Sequence, residues 1–239
     1  MAGALLEIDG ITKRFGGFLA LDRVSIHVQA GERLGLIGPN GSGKTTLINC
    51  VSGALPTDGG RILFEGRDIT RLPAHQRTRR GIVRSFQIPK PFTSMTVLEN
   101  LGIPLEYAAH TRAHGAAAGA LDILKMIGLD AKAHLRPAGL TQIEMRKLEL
   151  ARAMAARPKL LISDEAMAGL SSAEVDDILA ILFRLNEQGI TIIMIEHIMR
   201  AVMRFSERVV VLDAGNRIAE GTPAEIVRNP AVEKAYLGE

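Results

Sequence analysis

Residues Gly38-Pro39-Asn40-Gly41-Ser42-Gly43-Lys44-Thr45-Thr46 satisfy the spacing G-x-x-x-x-G-K-[ST], the pattern of a loop that cradles phosphate. Gly38, Gly41 and Gly43 let the backbone turn tightly and aim its N–H groups inward. The helix start behind them adds partial positive charge. Lys44 can reach β- and γ-phosphates, and the Thr45 hydroxyl can ligate Mg²⁺. A pair of carboxylates, Asp164 and Glu165, follows the apolar run Leu160-Leu161-Ile162-Ser163. Asp164 suits a Mg²⁺ held through water, and Glu165 suits the polarisation of an attacking water. His197 follows another apolar run, Ile190 to Ile195, so its ring can donate to a γ-phosphate. Gln87, at the end of a third strand, can meet the metal's water or orient the nucleophile. Phe15, beside Gly16-Gly17, suits stacking on an adenine. A surface acidic pair, a structural histidine and a core phenylalanine are the plainer readings of these residue types. The strand contexts favour a nucleotide site.

The elements around these residues must hold them together. Leu34 to Ile37 reads as the buried strand leading into the loop, and Thr45 to Ser52 as the helix leading out. Leu5–Asp9 and Leu19–Val28 alternate apolar and polar residues and predict strands, with Lys13 to Phe18 as a basic and aromatic turn. Arg61–Phe64 predicts a further strand, and Leu72–Arg80 a polar helix with Pro73 in its first turn. Arg77, Arg79, Arg80 and Arg84 are expected on a solvated basic face, with anionic lipid headgroups as the lesser reading. Ile82–Phe86 predicts a strand, and prolines break the segment Ile88 to Phe92. Val97–Leu129 is helical and alanine-rich. His110 and His114 within it lack a third ligand and are read as solvated rather than metal-binding. Leu140–Ala156 and Ser172–Gln188 predict amphipathic helices. Val209–Leu212 and Arg217–Ala219 predict strands, and two short helices close the chain.

Strands alternating with helices predict an α/β fold with a parallel sheet covered on both faces and an antiparallel N-terminal β portion. The helical block interrupts that alternation. Residues 1–92 and 157–239 are therefore assigned to a nucleotide-binding core, and about 93–156 to an inserted helical subdomain. The 239 residues suffice for one sizeable core. A net charge of +3 with dispersed basic residues gives no sign of nucleic-acid binding. The single cysteine, Cys50, excludes an internal disulfide and suits a reducing compartment. No apolar run approaches the roughly 20 residues of a membrane span, and Met1 to Ile8 carries no basic region of a signal peptide. Membrane association is expected to come through a partner.

The whole chain resembles an ABC-type ATPase subunit. The resemblance rests on Gly38 to Thr46, Gln87, Asp164-Glu165, the turn Ala168-Gly169-Leu170-Ser171 and His197, in the family's order and spacing. Arg14-Phe15-Gly16-Gly17, Phe86-Gln87 with Met95 to Asn100, and the tail from Asn229-Pro230 through Ala235-Tyr236-Leu237-Gly238-Glu239 make it similar to ATP-binding subunits of branched-chain amino acid importers. The resemblance implies a P-loop NTPase core that uses ATP and Mg²⁺. It implies two such subunits, a heterodimer expected and a homodimer the alternative, sandwiching two ATP molecules head to tail. Two membrane permease subunits, a periplasmic binding protein and a peripheral position on the cytoplasmic face of the inner membrane are implied as well. An importer for urea, amides or another small solute, and a soluble ABC ATPase or regulator, are the alternative readings.

One segment departs from the family pattern. The signature that meets the opposite subunit's γ-phosphate should read Leu-Ser-Gly-Gly-Gln, whereas this chain has Leu140-Thr141-Gln142-Ile143-Glu144. Thr141, Ile143 and Glu144 are the residues expected to act in trans. If Ile143 needs a positive φ, strain costs roughly 1–2 kcal/mol. If its side chain removes one preorganised donor, the rate falls roughly 100- to 1000-fold. The favoured expectation is an impaired donated site and asymmetric hydrolysis, with a tolerated Ile143 and two working sites as the alternative. Ala166 stands where a proline is usual, and Ile198 where an acid is usual.

Overall fold

Two sheets organise the chain, and a computed structural model describes its residues 3–85, 89–108 and 113–237. The strands are β1 (Leu6–Phe15), β2 (Phe18–Val28), β3 (Arg33–Ile37), β4 (Gly59–Phe64), β5 (Arg67–Asp68), β6 (Ile82–Ser85), β7 (Leu160–Asp164), β8 (Thr191–Ile195), β9 (Arg208–Asp213) and β10 (Asn216–Gly221). The helices are α1 (Lys44–Ser52), α2 (Ala74–Arg79), α3 (Val97–Tyr107), α4 (Ala113–Ile127), α5 (Gln142–Ala155), α6 (Ser172–Glu187), α7 (Met199–Phe205), α8 (Pro223–Val227) and α9 (Pro230–Leu237). One sheet is antiparallel with order β2-β1-β4-β5. The other has order β10-β9-β3-β8-β7-β6 and is parallel except at its β10 edge.

The parallel strands are apolar on both faces because helices or the second sheet cover both. Leu34, Leu36, Ile162, Ile193, Val210 and Leu212 pack on one side with α1 and the antiparallel sheet. Ile37, Leu161, Ile192, Met194, Val209 and Val211 alternate with them and face α6, α7 and the helical block. Phasing of period two thus splits one set of strands between two hydrophobic clusters. Among the described residues, no helix is long and apolar enough to cross a membrane.

The structure moves several predicted boundaries. β1 runs through Phe15 and β2 starts at Phe18, so only Gly16-Gly17 turns, with Gly16 at φ 58. The expected continuous helix from Val97 is two helices, α3 and α4. His110 lies outside the described residues. α5 starts two residues later than the apolar pattern suggested because Thr141 caps it reciprocally with Glu144. Asn100, fully buried, accepts from the Phe92 N–H at 2.8 Å and donates to the Phe92 and Thr96 carbonyls, which ties the proline-broken segment to α3.

The basic face is also corrected. Arg79 and Arg80 are exposed, but Arg77 is 2% exposed. Its guanidinium donates to the carbonyls of Leu72, Cys50, Val51 and Thr70 at 2.6 to 2.8 Å. A cation there satisfies the last carbonyls of α1 and complements that helix's dipole.

Candidate nucleotide-binding site

The phosphate loop begins where β3 ends. Gly38 has φ 151, and a Cβ on it would lie 2.0 Å from the Leu212 carbonyl oxygen, so β9 leaves room for glycine alone. Gly43, at φ 105, caps α1, and a Cβ there would lie 2.8 Å from the Ala20 carbonyl oxygen. Lys44 folds back into the loop and donates to the carbonyls of Gly38 and Pro39 at 2.7 and 2.9 Å. Burial lowers the Lys44 pKa, while the fields of Glu165 and Asp164 oppose that shift.

Phe15, Phe18, Ala20, Asn40, the residues Gly41 to Thr46, Glu165 and His197 line one cavity of about 250 Å³. The structure thus brings together the loop, the aromatic residue, the glutamate and the histidine from four separate parts of the chain. Phe18 had no predicted role. It stands across the Gly16-Gly17 turn from Phe15, and both rings are exposed. That is a second aromatic wall for a planar base.

Glu165 follows β7 in a left-handed conformation, φ 48. Its N–H still donates to the Ile195 carbonyl at 2.9 Å, so the turn is pinned to β8. Its Oε1 lies 2.6 Å from His197 Nε2. Asp164 is buried, and its carboxylate accepts from the Arg84 guanidinium, with Nε at 3.1 Å. Arg84 also donates to Asn49 Oδ1 at 2.6 Å. Arg84 is therefore not on a solvated face, because its position in β6 aims it at the neighbouring strand's acid; neither it nor Asp164 lines the cavity itself. The Thr45 hydroxyl and the Asp164 carboxylate are hard oxygen donors of the kind Mg²⁺ takes. Among the described residues, no three His, Cys, Asp or Glu side chains gather into an all-protein metal cage. Gln87, the third expected metal contact, lies outside the described residues.

Two buried residues behind the cavity went unnoticed in the sequence. Glu196 is 3% exposed, and its Oε1 accepts from the Met167 N–H at 2.8 Å. Burial pushes its carboxyl up to about 7, against the pull of that amide. Arg146 donates to the Ala168 carbonyl at 3.1 Å. The segment after Glu165 is thus held from β8 by an acid and from α5 by a base. The position of Glu196 at the end of an apolar strand, directly before His197, was the available signal.

Thr141, Ile143 and Glu144 do not line the cavity. Thr141 Oγ1 accepts from the Glu144 N–H, and the Glu144 carboxylate accepts from the Thr141 N–H at 2.9 Å and from Lys132. Lys132, then the Thr141 amide, hold the Glu144 carboxyl below its usual pKa. Ile143 sits in the first turn of α5 without a positive φ. Its partly buried side chain packs against the hydrophobic core of its own chain. The anticipated backbone strain is therefore absent.

Residues 21–168 match the family described as ABC transporter, and residues 216–239 the family described as branched-chain amino acid ATP-binding cassette transporter. The chain belongs to the ABC transporter family and is an ABC-type ATPase. Over its full length it is similar to the high-affinity branched-chain amino acid transport ATP-binding proteins BraF of Pseudomonas aeruginosa, at 39% identity, and LivG of Escherichia coli strain K12, at 38%. Both alignments cover 100% of each chain. Among solved structures, an ATP-binding cassette of an ABC transporter in its ADP conformation superposes with a TM-score of 0.90, 36% identity and 99% coverage of both chains. A dimeric post-hydrolysis cassette bound to ADP and Pi gives a TM-score of 0.81 at 26% identity, covering 91% of this chain and 98% of that one.

Proposed function

We propose that this chain binds and hydrolyses ATP as one half of a head-to-tail ATPase dimer, and that the cycle drives uptake of branched-chain or related amino acids. The observation that carries this reading is the Glu165–His197 pair, 2.6 Å apart, in the cavity formed by the phosphate loop. The loop amides from Gly41 to Thr46 and the Lys44 ammonium take the phosphates, Lys44 exchanging its carbonyl partners for phosphate oxygens. Phe15 stacks on the adenine. Thr45, Asp164 and Gln87 hold Mg²⁺, which when bound neutralises charge on the β- and γ-phosphates. Arg84 fixes the Asp164 carboxylate. Glu165 accepts the proton of the attacking water as the water oxygen bonds to the γ-phosphorus and the bond to the ADP oxygen breaks. His197 orients that carboxylate through Nε2.

The second nucleotide lies against the partner ATPase subunit, where this chain's Thr141, Ile143 and Glu144 face the γ-phosphate in trans. A heterodimer fits the unusual signature. A mostly apolar groove of about 440 Å³ lies beside the segment after Gln87, with Phe92, Ile103, Pro104, Tyr107 and Ala153 on its walls. Its continuity with that segment suits a helix from one of two membrane permease subunits. Helical block 93–156 and core then move relative to each other as the dimer closes. A periplasmic binding protein delivers the solute, and the chain sits peripherally on the cytoplasmic face of the inner membrane.

Reconstituted with its partner and membrane subunits, the protein should hydrolyse ATP and import leucine into vesicles. Glu165→Gln should lower turnover by roughly 100-fold or more while MgATP binding persists. Undiminished turnover in this variant, or a wild-type chain that does not bind MgATP, overturns the proposal.

A further inference from the structure

Arg84 joins three elements behind the phosphate loop. It sits in β6 opposite Ile162 of β7, two residues before Asp164, so its side chain and that of Asp164 leave the sheet on one face. α1 covers that face, where Ile82 and Ile162 pack with Leu47, Ile48 and Val51. The Arg84 guanidinium donates to Asp164 Oδ2 from Nε at 3.1 Å and from Nη2 at 2.5 Å. It donates from Nη1 to Asn49 Oδ1, on α1, at 2.6 Å. Neither of the two bonds to Asp164 uses Oδ1. The Arg84 and Asp164 side chains are only 13% and 8% exposed, so water competes little for these bonds.

Asn49 stands four residues after Thr45 in α1, and the two side chains share a face of that helix. Thr45 and Asp164 are the two oxygen donors suited to Mg²⁺. One planar cation therefore grips both the helix that carries the first donor and the carboxylate that is the second. A buried carboxylate needs a counter-ion in any fold, and the two bonds to Oδ2 meet that need. The bond to Asn49 adds nothing to the charge balance of Asp164. Its effect is to tie β6 and β7 to α1. A lysine has a single nitrogen and lacks the rigid fork that reaches in both directions.

We propose that Arg84 is a positioning residue of the Mg²⁺ site: its bridge from Asn49 to Asp164 sets the spacing between Thr45 and the carboxylate and leaves Oδ1 to accept from a metal-bound water. The inference rests on the ATP-binding reading above. Groups that hydrogen-bond to metal-holding residues typically change metal affinity roughly 10- to 100-fold when replaced.

Mn²⁺ serves as the probe, titrated onto the full-length protein with a non-hydrolysable ATP analogue and read by electron paramagnetic resonance. Arg84→Gln should weaken Mn²⁺ binding about tenfold or more, while affinity for the analogue in EDTA stays at the wild-type value. Arg84→Lys keeps the charge and should weaken Mn²⁺ nearly as much. Asn49→Ala leaves the pair with Asp164 whole and should weaken Mn²⁺ severalfold, with little further loss when it is added to Arg84→Gln. Wild-type Mn²⁺ affinity in Arg84→Lys overturns the proposal, since charge alone would then suffice. Wild-type affinity in Asn49→Ala overturns it too, reducing the arginine to a counter-ion. Tighter Mn²⁺ binding in Arg84→Gln, the mark of a merely repelling cation, also overturns it. So does a lowered thermal midpoint with unchanged Mn²⁺ affinity, which describes a purely structural bridge. Should Arg84→Gln not fold, Arg84→Lys and Asn49→Ala decide the matter. Failure of the wild-type chain to bind the analogue with or without metal would instead overturn the ATP reading itself.

Discussion

Glu196 carries the sharpest electrostatic consequence at the scale of single residues. Its folded-state pKa is pushed up to about 7 from the 4.5 of a free glutamate. Between those values Glu196 binds more protons in the folded chain than in the unfolded one, so its contribution to stability is fully present below pH 4.5 and is lost as pH rises toward and through 7. The loss is of the order of 3 kcal/mol, a few degrees of thermal midpoint per kcal/mol for a chain of this size. Glu196→Gln keeps an acceptor for the Met167 N–H and cannot ionise. Its midpoint should equal the wild type's within a degree or two near pH 5 and exceed it by several degrees at pH 8.5, measured by scanning calorimetry on the full chain. Parallel curves would show that Glu196 does not titrate in this window. The residues of the site differ in how openly the sequence displays them. Lys44, Thr45, Asp164, Glu165 and His197 are legible because spacing and a preceding strand fix each one. Arg77 and Arg84 sit in a run of arginines whose local pattern looks solvated. Their partners are the carbonyls of Cys50 and Val51 and the Asp164 carboxylate. Those groups are distant in sequence, so only the fold identifies Arg77 as buried and Arg84 as ion-paired and half-buried.

Helix starts show how one local rule can place an element. Thr96 with Glu99, Thr141 with Glu144, Ser171 with Glu174 and Thr222 with Glu225 all form reciprocal capping boxes. Each reads as S/T-x-x-E in the sequence, which is why α5 begins at Gln142 although its apolar pattern reaches back to Leu140. The Thr141 cap matters most, because α5 presents the residues expected to act in trans. Thr141→Ala should cost about 1 kcal/mol, seen as a thermal midpoint lower by roughly 2–4 °C. Thr141→Ser should recover most of it. Equal midpoints for the Ala and Ser variants would mean the cap contributes nothing. The order of the parallel sheet was not legible at this scale. β3 pairs with β8 and β9, strands more than 150 residues later, and an apolar run carries no label for its neighbour. The hairpin of β1 and β2 was easier, since Gly16-Gly17 and alternating side chains specify it locally.

The class of the whole molecule follows from the alternation of strands and helices and from one interruption. The division of labour between the two nucleotide sites of the proposed dimer does not, because it depends on a side chain's direction. Two penalties were expected at Ile143: a strained backbone and a side chain in the path of the phosphate. The first is removed by its place in the first turn of α5, and its side chain turns into its own core. The amide N–H remains among those a helix's first turn leaves open. Both sites of the assembled ATPase are therefore expected to turn over. In the reconstituted complex, Glu165→Gln in this chain and the equivalent change in the partner should reduce ATP hydrolysis by comparable factors, and Ile143→Gly should not raise it. Hydrolysis that survives the partner's substitution but not Glu165→Gln would mean that the site using this chain's signature is silent. The isoleucine would then act on the partner's phosphate through a closed geometry in which its side chain leaves the core.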